Sequence, residues 1–242
     1  MPPDTRHLRS YGRIKARTLK PRQAGLMETL LPHLAVPDEG AIDPAALFAG
    51  MDAPHPSALS PQGGGEPVIL EIGFGGGEHL VAQASAKPRA RFIGVEPFMN
   101  GVASCLRHVE EANAQNIRLH MGDARDVLAR LPDEGVDLTY ILFPDPWPKA
   151  RHHKRRLIQA AFVEALARVL KPGGEVRFAT DWAHYAEWTL DLFLRSPAFV
   201  WTAERAADWR APWPGHVTTR YEAKRLGDCA PIWLRFVRTS SR

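Results

Sequence analysis

From Val68 onward, short apolar runs rich in Val, Ile and Phe alternate with segments whose apolar residues recur every three or four positions. No other feature constrains the chain as strongly. Runs of about five apolar residues read as strands, and segments of helical period read as helices that must bury one face. Strands are expected at 68–72, 91–95, 117–121, 136–143 and 175–179, with weaker ones at 199–203 and 232–237. The best-defined helix covers 157–170: Leu157, Ile158, Ala161, Phe162, Ala165, Leu166, Val169 and Leu170 form one broad apolar face, and Pro172-Gly173-Gly174 stops it. Helical crossovers between strands of one sheet are right-handed. The pattern therefore predicts an α/β fold with a Rossmann-like, doubly wound, mostly parallel seven-stranded sheet.

The chain before this region has a different texture. Residues 1–48 read as a basic arm followed by a short helix at about 23–34, and residues 49–66, with Gly63-Gly64-Gly65 and several prolines, read as a flexible linker. Residues 67–242 form the main domain. The net charge of +4 is unevenly placed: residues 1–22 hold seven cations and one anion, and Lys149, Arg151, Lys154, Arg155 and Arg156 fall within eight positions. Two cationic patches on an otherwise acidic chain point to a polyanionic partner, against the blander reading of solvated faces. Two cysteines, Cys105 and Cys229, supply neither a disulfide framework nor a zinc site, which favours a cytoplasmic home. No run reaches the roughly 18 apolar residues of a membrane-spanning helix, so no membrane partner is expected.

Ligands of doubly wound sheets bind at the carboxyl ends of the strands. There the first strand gives Glu71-Ile72-Gly73-Phe74-Gly75-Gly76-Gly77, a turn that lets a ligand approach the backbone. The last position of a dinucleotide fingerprint is occupied by Glu78, whose carboxylate repels a pyrophosphate, while Glu71 suits a cationic ligand. Glu96, twenty-one residues after Gly75, stands where a carboxylate accepts hydrogen bonds from both hydroxyls of a ribose, and Asp123 stands where one accepts an adenine amino group. After the fourth strand, prolines bracket Asp145 in Pro144-Asp145-Pro146-Trp147-Pro148, and cations begin four residues later.

The thirteen positions from Pro144 to Arg156, P-D-P-W-P-K-A-R-H-H-K-R-R, resemble the signature of the bacterial single-chain tRNA (guanine-N7)-methyltransferases. Glu71 to Gly77, Gly94-Val95-Glu96, Ala179 to Trp182, Thr219 to Glu222 and Arg9-Ser10-Tyr11 are similar to further motifs of that family. The resemblance implies a class I S-adenosylmethionine-dependent methyltransferase fold. It implies cofactor contacts from Glu71, Gly73, Gly75, Glu96, Asp123 and Asp145, with Asp145 also catalytic. It further implies substrate contacts from Lys149, Asp181, Thr219, Arg220, Tyr221 and Glu222, and RNA contacts from Arg151, His152, His153, Lys154, Arg155 and Arg156. The implied substrate is the tRNA variable-loop guanosine, position 46 in tRNA convention, with no obligatory protein partner and a monomeric or homodimeric enzyme.

Competing readings fit less well. A catalytically dead RNA-binding module needs the basic strip but not the acids. A nicotinamide dehydrogenase is disfavoured by Glu78. A DNA amino-methyltransferase carries a loop of the N-P-P-Y kind, which is absent from this sequence, and His152, His153 and His216 lack metal-ligand spacing.

Overall fold

The computed structural model describes residues 18–51 and 66–240. In chain order the elements are α1 (Pro21–Thr29), α2 (Leu31–Leu34), α3 (Pro44–Leu47), β1 (Val68–Ile72), α4 (Glu78–Ala86), β2 (Arg91–Val95), α5 (Met99–Ala112), β3 (Ile117–His120) and α6 (Ala124–Arg130). There follow β4 (Val136–Leu142), α7 (Ala160–Val169), β5 (Leu170–Thr180), α8 (Ala183–Arg195), β6 (Phe199–Trp201), α9 (Ala207–Arg210) and β7 (Ile232–Arg238). Short 3-10 turns cover Ala150–Arg155 and Glu222–Lys224. The sheet has seven strands in the order β3-β2-β1-β4-β5-β7-β6. Strands β1 to β5 pair in parallel, while β7 runs antiparallel to both β5 and β6. The strand order reverses between β1 and β4, so that is where the crevice must open.

Both faces of the sheet are covered, which explains why β1 is buried at every position. Val68, Leu70 and Ile72 pack with Val127, Phe162, Leu166 and Tyr185 of α6, α7 and α8, while Ile69 packs on the other face with Leu80, Val102 and Leu106 of α4 and α5. The alternation is the period-two pleat of a strand.

The largest departures from the expected boundaries fall at the α7–β5 junction. Helix α7 starts at Ala160, not Leu157, because Gln159 is extended and Ile158 is held outside the helix by α8: its amide donates to Tyr185 Oη at 3.3 Å, and its carbonyl accepts from Trp188 Nε1 at 2.8 Å. Strand β5 begins directly at Leu170. The Pro172-Gly173-Gly174 segment makes a bulge inside it, with Gly173 at φ +79° and the register against β4 shifting between Val136 and Leu138.

Residues 31–51 pack on the domain. Val36 N donates to Leu119 O and Ile42 N to Arg130 O, both at 2.9 Å, and Val36, Ile42 and Phe48 join the core of the α6–α8 face. The segment covers the outer edge of β3, which would otherwise expose unpaired backbone. The arm motif Arg9-Ser10-Tyr11 and residues 52–65 of the expected linker lie outside the described residues. Among those described, no helix is long and apolar enough to cross a membrane.

Candidate active site

At the switch point a cavity of about 770 Å³ opens over the ends of β1, β2 and β4. Its floor is the turn after β1. Gly73 and Gly75 adopt φ of +75° and +56°, a region that L side chains rarely occupy, and a Cβ at Gly101 of α5 would strike the Gly75 carbonyl. The turn is thus shaped for close backbone approach from both sides.

The four strand-end acids all line this cavity, but their environments differ. Glu71 is 2% exposed, and its Oε2 lies 2.8 Å from Nδ1 of the equally buried His79. Glu96 accepts the amide of Gly75 at 2.8 Å on one oxygen and that of Phe98 at 2.9 Å on the other. Each oxygen keeps a second acceptor site for a ligand hydroxyl. Burial pushes the Glu96 carboxyl up to about 7, helped by the charge of Asp145 and opposed by the two amides. Asp123 caps α6 by accepting Arg125 N at 2.9 Å and pairs with the Arg125 guanidinium at 3.0 Å. Asp145 is exposed at the mouth, in a loop whose flanks, Phe143 (φ +50°) and Trp147 (φ +42°), are left-handed.

The opposite wall is the segment that reads Thr219-Arg220-Tyr221-Glu222. Its outer residues bond to each other: Glu222 N donates to Thr219 Oγ1 at 3.1 Å, and Thr219 N donates to Glu222 Oε2 at 3.3 Å. This is a reciprocal capping arrangement on the 3-10 turn that follows. Thr219, Arg220 and Tyr221 line the cavity, and Arg220 pairs with Glu78 at 3.1 Å. Sequence reasoning missed the anchors of this wall. His216 Nε2 lies 2.8 Å from Glu222 Oε2, the His216 ring sits 5.5 Å from that of His79, Trp213 packs edge-on against Trp233, and Gln83 Nε2 holds Gly215 O at 2.5 Å. Two of these contacts, His79 with His216 and Gln83 with Gly215, join residues more than 100 positions apart, which no spacing in the sequence announces.

Not every position that the resemblance implied lines the cavity. Asp181 is 3% exposed, lies off the cavity, and accepts Gly227 N at 2.8 Å, so it braces the 227–229 turn, where Cys229 N also bonds to its carbonyl. Lys149 is exposed beyond the cavity rim. Arg156, expected to contact RNA, is instead 1% exposed, with its side chain turned inward. The remainder of the strip divides by exposure, with Arg151 and Lys154 open to solvent and His152, His153 and Arg155 half-buried. The Arg155 guanidinium lies 5.1 Å from the centre of the Trp147 ring, and both line the cavity.

What fits here is a ligand with a cationic centre and hydroxyl donors, since the acids supply acceptors and Glu78 heads the helix where a pyrophosphate would sit. A sulfonium nucleoside meets every one of these conditions, which places the site among the Rossmann-like methyltransferases, with S-adenosylmethionine as methyl donor. The family model Methyltransf_4, described as "Putative methyltransferase", matches residues 65–233. A tRNA (guanine-N(7)-)-methyltransferase of Caulobacter sp. (strain K31) is 56% identical over 96% of this chain and 95% of its own length, and one of Hyphomonas neptunium is 46% identical over 95% and 99%. The chain belongs to the tRNA (guanine-N7)-methyltransferase family. Among solved structures, the 16S rRNA methyltransferase KamB shares the fold, with a TM-score of 0.53 at 14% identity over 73% of this chain and 89% of that one.

The raised carboxyl of Glu96 gives a first prediction. If Glu96 is the ribose acceptor, only its ionised form can accept from both hydroxyls, and at pH 6 a group titrating near 7 is roughly one-tenth ionised. Cofactor affinity is therefore expected to weaken by roughly tenfold from pH 8 to pH 6. Glu96→Gln is expected to bind weakly and with little pH dependence. Calorimetry at the two pH values checks this, and equal slopes in both proteins would remove the assignment.

Proposed function

We propose that the chain transfers the methyl group of S-adenosylmethionine to N7 of a guanine in tRNA, at the variable-loop position 46. The observation that carries this reading is the meeting, in one cavity, of acids suited to a cationic nucleoside with Trp147, Arg155, Arg220 and Tyr221, which suit a base and its phosphates. S-adenosylmethionine, when bound, supplies an electrophilic methyl carbon on a sulfonium.

Guanine N7 carries an in-plane lone pair and needs no deprotonation, so the side chains have no general-base task. Their work is alignment and electrostatics. Glu96 and Asp123 would hold the ribose and base of the cofactor, Gly73 and Gly75 would let it approach the backbone, and Glu71, fixed by His79, would offer an acceptor to its cationic part. Asp145, exposed at the mouth, accepts from the N1 and N2 protons of guanine, and this interaction strengthens as the ring becomes cationic. Tyr221 and Trp147 bound the base, while Arg151 and Lys154 hold the RNA backbone outside.

The test is incubation with labelled cofactor and an unmodified tRNA transcript, followed by digestion to nucleosides. The expected product is 7-methylguanosine, lost when guanine 46 is replaced. Label in any other nucleoside, or none above a transcript-free control, overturns the reading. A cytoplasmic enzyme acting as a monomer or homodimer without an obligatory partner is consistent with it.

A further inference from the structure

Arg156 closes the most basic run of the chain, yet its side chain faces away from solvent. Its Nε donates to the carbonyl of Pro146 at 2.9 Å, and its Nη1 lies 3.0 Å from His184 Nδ1. The guanidinium sits 4.9 Å from the centre of the Tyr185 ring and 5.2 Å from that of Trp188. His184, Tyr185 and Trp188 occupy one face of α8, so a helix packed on the sheet forms a box around the cation. The backbone is tied into the same unit: Gln159 Nε2 donates to the carbonyls of His153 and Arg156, and Tyr185 and Trp188 bond to Ile158.

Pro146 lies between Asp145 and Trp147, in a loop whose flanking Phe143 and Trp147 are left-handed without being glycine. Such a conformation persists only where the surroundings over-determine it. Pro146 has no amide hydrogen to anchor it, and its carbonyl is the atom that Arg156 holds.

We propose that Arg156 is a positioning residue: it ties the Asp145 loop to α8 through the Pro146 carbonyl and makes no RNA contact. The inference rests on the reading of that loop as the methyl-transfer site. Lysine cannot replace it, because the two contacts diverge from one planar group that also stacks on aromatic rings.

The experiment compares wild type, R156A, R156K and H184A for kcat at saturating tRNA and cofactor, and for the salt dependence of tRNA binding. A loop displaced by about 1 Å costs on the order of 100-fold in rate. R156K is expected to lose about 10- to 100-fold in kcat and H184A a few-fold, both with the wild-type salt slope. H184A removes only the outer acceptor, from an exposed position, so it reports even where R156K folds poorly. A phosphate contact predicts the reverse: full rescue by lysine and, in R156A, a slope lower by about 0.7 to 0.9. An R156K kcat within twofold of wild type, or that fall in slope, overturns the proposal. Wild type failing to make 7-methylguanosine would instead refute the functional reading itself.

Discussion

Asp145→Asn is expected to lower kcat by about 10²- to 10³-fold, the usual loss when one preorganised group facing a developing charge is removed. Stability is expected to change by less than about 0.5 kcal/mol, because the residue is exposed in a loop and supports no part of either core. A second consequence separates its role from simple damage to the site. The charge of Asp145 is one cause of the raised Glu96 carboxyl, so its removal lets Glu96 ionise at lower pH. The pH at which cofactor affinity falls, set by Glu96, is therefore expected to move down in the variant while turnover collapses. Single-turnover rates with calorimetry at two pH values check both, and a kcat within a few-fold of wild type would sink the catalytic assignment.

The parallel half of the sheet was legible because buried strands between helices leave continuous apolar runs: β1 and β2 fall at 68–72 and 91–95, as the pattern predicts. The α7–β5 junction was not. Leu157 and Ile158 keep the apolar period of the helix, but they are buried by α8 from an extended conformation. Likewise Pro172-Gly173-Gly174 marks a break equally well whether the chain leaves a helix or bulges within a strand. Local sequence records that a residue is buried, and only tertiary contacts decide in which conformation.

The site divides along the same line. Glu71, Glu96, Asp123 and Asp145 were readable because a fold rule puts strand ends at the ligand, and all four line one cavity. Thr219 and Glu222 read as ligand contacts, and the structure adds that they close a capping pair which presents Arg220 and Tyr221 to the cavity. Arg156 was the least legible. A cation among cations reads as solvated, and nothing adjacent in sequence announces an aromatic box about thirty residues downstream.

That partition selects the cations whose contact with RNA is worth testing. Arg151 and Lys154 are exposed on the 3-10 turn after Lys149, and Arg220, Lys224 and Arg225 are exposed on the opposite side of the cavity mouth. If the first pair contacts phosphates, Arg151→Ala with Lys154→Ala lowers the log-log salt slope of tRNA binding by between about one and two, at about 0.7 to 0.9 per phosphate. Deleting residues 1–17, which hold five further cations, is expected to lower the slope again. That cut stops short of α1, whose Arg22 pairs with Glu110 at 2.7 Å, so this contact is kept. Methylation at low salt is expected to survive the deletion, because every described residue that lines the cavity is kept. Solvated cations predict something different: the three proteins share one slope and one affinity at every salt concentration. Measuring tRNA affinity at four concentrations discriminates, since counterion release scales with the phosphates actually neutralised and not with the net charge of the protein.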